Sequence, residues 1–136
     1  MKSNFYLLTL VLSGMFSFSS CKKIALKTLD KNQVALHSCT EQNVQMPYIC
    51  FDSLIQDSRC PTGGVCVWRG TAIIQVTFHD NGQSDTFIMS LKDYPSLGHV
   101  SDTTINGYNI SFTALDPYPD INKNAGDKIA TVNITQ

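Results

Sequence analysis

The chain has 136 residues, with ten Lys and Arg against eleven Asp and Glu and a formal net charge of −1. Acids and bases are interspersed, which excludes the basic footprint of a nucleic-acid binder. The length predicts a single domain, large enough for one core that buries roughly two thirds of the unfolded surface.

Residues 1–20, MKSNFYLLTLVLSGMFSFSS, put Lys2 ahead of an apolar run that ends in small residues. That pattern predicts a signal peptide, too short and too weakly flanked for a spanning helix. Phe18-Ser19-Ser20-Cys21 resembles a bacterial lipobox, with Phe18 where Leu is usual. The resemblance implies diacylglycerol on Cys21, which becomes the new N-terminus. Five cysteines are an odd number, and lipid on Cys21 leaves four that can pair. Each buried methylene contributes about 0.8 kcal/mol, so several acyl chains hold a protein on a membrane where one does not. Lys22 and Lys23 follow Cys21 where some surface-exported lipoproteins carry acids. The expected location is the cell envelope, lipid-anchored at the outer membrane and facing the periplasm. Residues 21–32, CKKIALKTLDKN, are expected to be a tether, and residues 33–136 the domain.

From there the runs are strand-like: QVALHSC, YICFDSLI, VCVWRGTAIIQVTF, DTFIMSL, YNISFTALD and KIATVNIT, rich in Val, Ile, Phe, Tyr and Thr and separated by Pro, Gly, Asn and Asp. No helical period follows the signal. Alternation places Ala72, Ile74, Val76 and Phe78 on one face. It does the same for Tyr108, Ile110, Phe112 and Ala114, and for Ala130, Val132 and Ile134. Asp80-Asn81-Gly82 predicts a tight hairpin, because Asn-Gly tolerates positive φ. Six to seven short strands of this kind predict an all-β fold, a single antiparallel β-sandwich of immunoglobulin-like, Greek-key type or a small barrel.

Cys39, Cys50, Cys60 and Cys66 lack the close knuckle spacing of a zinc site. Cys60 and Cys66 have no helix beside them to depress a thiol pKa, which argues against a redox centre. An oxidising envelope favours disulfides. Pro61 fixes φ and Gly63-Gly64 permits a sharp return, so Cys60 is expected to pair with Cys66, contributing about 2 kcal/mol in so short a loop. Cys39 would then pair with Cys50, with locality as the warrant among three possible connectivities.

The stretch DSRCPTGGVCVWRGTAIIQV, residues 57–76, resembles the motif of a family of small uncharacterised bacterial envelope lipoproteins. Asp57, Ser58, Arg59, Cys60, Pro61, Cys66, Trp68 and Gly70 match it, whereas Arg69 stands where Ala is usual. LDPYPD, residues 115–120, is similar to the family's later Pro-x-Pro element. The resemblance implies an envelope lipoprotein with a β-rich domain and implies no activity.

Asp57 is expected to accept backbone N–H groups at the turn and Arg59 to pair locally. Trp68 is expected to pack in the core. The functional alternative joins Asp57, Arg59, Trp68 and Arg69 in a binding rim. Asp116, Asp120, Asn122, Asn124 and Asp127 invite calcium, but the EF-hand spacing fails, with Ala125 where the turn glycine belongs. A solvated connection is the expectation there, and no metal or cofactor is implied. His37, His79 and His99 are scattered, and neither Gly-x-Ser-x-Gly nor His-Glu-x-x-His occurs. The chain is therefore expected not to be an enzyme but a lipid-anchored envelope protein with a non-catalytic binding or structural domain. Its expected partners are the membrane, through lipid on Cys21, and an envelope protein or glycan. A protease-inhibitor-like module is one alternative and an unrecognised hydrolase another.

Overall fold

The computed structural model describes residues 29–40, 47–93, 98–124 and 126–136. The signal segment, Cys21, most of the expected tether and Ala125 lie outside the described residues. Eight strands are present and no helix among the described residues: β1 (Gln33–Ala35), β2 (Ser38–Cys39), β3 (Tyr48–Asp57), β4 (Ala72–Asp80), β5 (Gln83–Ser90), β6 (Asp102–Ile105), β7 (Tyr108–Asp116) and β8 (Ile129–Thr135). They form two antiparallel four-stranded sheets, ordered β1-β8-β7-β6 and β2-β3-β4-β5. The arrangement is sandwich-like. Val34, Ile110, Phe112, Leu115, Ala130 and Val132 from one sheet share a core with Ile49, Phe51, Ile74, Val76, Phe78 and Met89 from the other. Burial of these apolar faces, at about 25 cal/mol per Å², is what holds the sheets together.

Every neighbouring pair is consecutive in the chain except β8 and β1, which close the order. The connectivity is thus a meander folded over on itself, and the expected Greek-key crossing does not join these strands. The strand count is eight rather than six to seven because one run divides and one strand lies outside the expected runs. QVALHSC, expected as one strand, switches sheets in its middle. The Leu36 N–H donates to Lys128 O (2.8 Å) on the first sheet and the His37 N–H to Phe51 O (2.7 Å) on the second. His37 takes a positive φ of 61° at that corner. The second new strand is β6, whose polar DTTI sequence has little apolar signal.

Two of the hairpin turns are Asn-Gly. Asn81 and Gly82 have φ of 48° and 80°, and Asn106 and Gly107 have 51° and 82°, the paired left-handed conformation of a two-residue turn. Their strands meet in the matching registers, Asp80 opposite Gln83 and Ile105 opposite Tyr108. The first hairpin follows from the sequence pattern. The second carries the same dipeptide signal, hidden by the weak strand before it.

Ala72, Ile74, Val76 and Phe78 are all buried, as alternation requires. In β7 the alternation breaks. Phe112 pairs with Val132 and Ala114 with Thr131, so Thr113 is an extra residue in a bulge. The phase shifts by one, and Leu115 takes the core position expected for Ala114. β3 is likewise bulged, between Phe51 and Ser53 and between Leu54 and Gln56, as it runs toward Asp57. Leu115→Ala should therefore cost about 2–5 kcal/mol in urea unfolding, and Thr113→Ala about 0.5 kcal/mol or less. The reverse order of sensitivities would contradict the shifted phase.

Candidate functional site

The residues between β3 and β4 are fixed from their base outward. The Ser58 N–H donates to Thr71 O (2.9 Å), and the Thr71 N–H returns a bond to Ser58 Oγ (3.1 Å). Gly70 lies so close to Ser58 that an added Cβ would sit 1.6 Å from the Ser58 carbonyl oxygen, which only glycine avoids. β4 therefore begins at Ala72. The expected strand from Val65 onward is a loop over its first seven residues, because this close approach and the adjacent disulfide pull the chain out of the sheet.

Disulfides join Cys60 to Cys66, with Cα atoms 5.9 Å apart, and Cys39 to Cys50 across the β2–β3 pair. Inside the smaller ring, the Gly64 N–H donates to Pro61 O (2.9 Å), and Gly63 supplies the positive φ of 82° that the turn needs. The Thr62 N–H reaches Pro119 O (2.9 Å) and Thr62 O accepts from the Ile121 N–H (3.3 Å), so the stapled loop is bonded to the loop after β7. Ile121 packs over Gly63 at the same junction.

A buried charge cluster stands beneath this junction. Arg59 grips the Asp57 carboxylate with two nitrogens, Nε to Oδ1 at 2.7 Å and Nη2 to Oδ2 at 2.8 Å. Lys128 Nζ donates to the same Oδ2 and to Pro117 O, both at 3.1 Å. Arg59 Nη1 donates to Leu115 O (2.6 Å), and its guanidinium lies over the Tyr118 ring, 4.7 Å from the centroid. All three charged side chains are about nine-tenths buried. Burial raises the Asp57 pKa, but hydrogen bonds from Arg59 and Lys128, with their charges, outweigh it and hold the carboxyl below the usual aspartate value. Arg59 thus pairs locally as expected. Asp57 serves mainly two cationic side chains instead of the turn, with its own contact to the Arg59 N–H long at 3.4 Å. Lys128, 71 residues from Asp57, is the member that sequence reasoning misses. A lysine ahead of an alternating strand carries no signal of its own.

The expected rim therefore divides. Asp57 and Arg59 are internal supports, whereas Trp68 and Arg69 are exposed. The expectation that Trp68 packs in the core is overturned: it is 75% exposed, and Val65 and Val67 beside it are essentially fully exposed. The loop that carries them has left the sheet, so no face of the core is within their reach. Tyr118 and Ile121, also exposed, lie on the partner loop. Between the loops is an open groove of about 850 Å³, walled by Pro61, Thr62, Pro117, Tyr118, Pro119 and Ile121, with Asp120, Lys123 and Asn124 at its edge.

The acidic connection is used locally. Asp120 Oδ1 accepts the Asn122 N–H (2.8 Å) and Oδ2 faces Lys123 Nζ (3.6 Å). Asp116 pairs opposite Ile129 at the strand end, and Asn124 and Asp127 are exposed. Among the described residues no three His, Cys, Asp or Glu side chains converge. His79 contacts Ser84 Oγ through Nδ1 (2.7 Å) and stacks on Tyr48. His79 and Ser84 are a directly opposed pair on the β4–β5 hairpin, which accounts for the contact as cross-strand packing.

No family model, curated protein or solved structure matches the chain. The roles of its residues rest on this geometry. Asp57, Ser58, Arg59, Cys60, Cys66 and Gly70 all hold the end of the fold together. Trp68 makes no side-chain hydrogen bond among the described residues.

A depressed carboxylate pKa contributes stability that is present above the unfolded-state value and is lost as pH falls through the folded one. Wild-type stability should consequently hold above about pH 4 and fall at lower pH. Asp57→Asn leaves two buried cations without their anion and should lose about 3–5 kcal/mol at neutral pH. Its stability should also depend less steeply on pH below about 4. Urea titrations from neutral to acid pH measure both effects, and an Asp57→Asn variant as stable as wild type at pH 7 would remove Asp57 from the centre of the cluster.

Proposed function

We propose that the chain is a lipid-anchored protein of the bacterial envelope, held through Cys21 at the outer membrane and facing the periplasm. Its single β-sandwich binds a partner and does not catalyse. The lipobox-like Phe18–Cys21 stretch supports the anchor. Two disulfides accord with an oxidising compartment. The resemblance to small envelope lipoproteins through DSRCP and the following Cys-x-Trp-x-Gly points the same way.

One observation carries the binding reading. The end of the domain built from residues 57–70 and 116–128 is braced by a disulfide, a buried ion cluster and a backbone bridge, while its outer surface stays open and apolar. Such bracing lowers the ordering cost of binding. The groove offers proline and tyrosine walls with a few carboxylate, amide and ammonium groups at its edge, a combination suited to an extended protein segment or a glycan chain. A protease-inhibitor-like role is favoured by one feature, the full exposure of Val65 within a disulfide ring. An inhibitor would titrate protease activity near one to one.

Two measurements test the proposal. In cell fractionation the wild type should remain with membranes and Cys21→Ser should be released, and membrane retention of Cys21→Ser would contradict the anchor. In a cross-linked capture from intact envelopes, an Ile121→Asp, Lys123→Asp double variant should lose the partner that the wild type retains. Both side chains are largely exposed, and an unchanged urea midpoint shows that the contacts of Ile121 with Gly63 and of Lys123 with Asp120 are not what the variant reports. An unchanged set of captured molecules would move the site out of the groove.

A further inference from the structure

We infer that the tip of the stapled loop, Val65, Val67 and Trp68 with Arg69, is a membrane-contact surface that enters the interface of an anionic bilayer. The inference rests on the lipid anchor proposed above. The three apolar side chains protrude from a braced loop, with Val65 and Val67 essentially fully exposed and Trp68 75% exposed. Exposed large apolar side chains grouped within four residues, rather than scattered singly, mark an interaction surface. A protein partner would need a pocket matched to this protrusion, whereas a bilayer accepts a convex apolar tip without shape matching.

Composition points to the same occupant. Residues 60–70 contain no Asp or Glu, and their one charge is Arg69, next to the tryptophan. Tryptophan settles at the headgroup level, and arginine beside it reaches lipid phosphates. Lys22, Lys23 and Lys27, near the anchor, add positive charge that an anionic leaflet would attract.

The tether length allows the contact. Eight residue steps separate Cys21 from Leu29, a reach of roughly 26–29 Å at most. The chain joins the sheet at Gln33, opposite Thr131. Thr131 lies only three residues along β8 from Lys128, which binds Asp57 at the stapled end, a separation of about 10 Å. The lipid therefore confines the stapled end to the neighbourhood of the bilayer, and insertion of the tip would hold the adjoining groove at a fixed height above it.

Trp68 is the only tryptophan in the chain, so its fluorescence reports on the tip alone. The lipidated protein is reconstituted into vesicles of phosphatidylethanolamine and phosphatidylglycerol containing lipid brominated on its acyl chains. The expected result is a blue shift of Trp68 emission, quenching by the brominated chains and protection from acrylamide. A Val65→Asp, Val67→Asp variant should lose all three while still floating with the vesicles. If the wild type floats but Trp68 stays solvent-like and open to acrylamide, the tip inference is overturned and the anchor stands. If the lipidated protein does not float, the anchor reading fails, and the Cys21→Ser chain titrated with the same vesicles decides the tip. A blue shift with quenching there sustains the inference, and unchanged emission overturns it.

Discussion

The Asp57 carboxylate is the point on which this end of the molecule depends. It lies at the terminus of β3, in the sheet that contains β4, and binds Lys128 at the entry to β8 in the other sheet. Arg59 extends the same cluster to the carbonyls of Leu115 and Pro117 at the end of β7. One anion thus ties together both sheets and both loops. Two cations against one carboxylate would be costly in a dry interior, and the backbone carbonyls of Leu115 and Pro117 offset that cost by accepting further hydrogen bonds from Arg59 and Lys128.

The clamp separates support from display. Ser58, Gly70 and Thr71 close the base of the loop, the Cys60–Cys66 disulfide narrows it, and Thr62 fastens it to Pro119. These contacts use the polar and small residues of the stretch, which leaves Val65, Val67 and Trp68 with nothing to do in the fold. Their exposure is consequently a property of a rigid surface, which is what a binding end or a membrane-contacting tip requires. The groove and the tip share the stapled loop, so an anchored and inserted domain would present its groove close to the lipid surface.

Much of the fold was legible because it rests on short-range chemistry. Alternation in β4 names Ala72, Ile74, Val76 and Phe78 as core, and Asn81-Gly82 names its turn, since each depends only on neighbouring residues. Locality sufficed for both disulfides. The bulge at Thr113 was not legible, because any residue can occupy the extra position and the pattern on either side looks continuous. The sheet switch at Leu36–His37 was hidden for the same reason. In the candidate site, Asp57 and Arg59 could be singled out as a pair, but Lys128 enters through a contact across 71 residues. The position of Trp68 is not legible, because size and hydrophobicity argue for burial, while its exposure follows from the approach of Gly70 to Ser58, which has no periodic signal.

Amide hydrogen exchange at Ser58 and Thr71, compared between two variants, tests most directly whether the ion cluster or the disulfide holds the end of the domain. If the Asp57 clamp is the organising contact, both amides stay protected in a Cys60→Ser, Cys66→Ser protein and lose protection in a Lys128→Met protein, in which the disulfide is intact. Protection lost with the disulfide and retained without Lys128 would contradict the account.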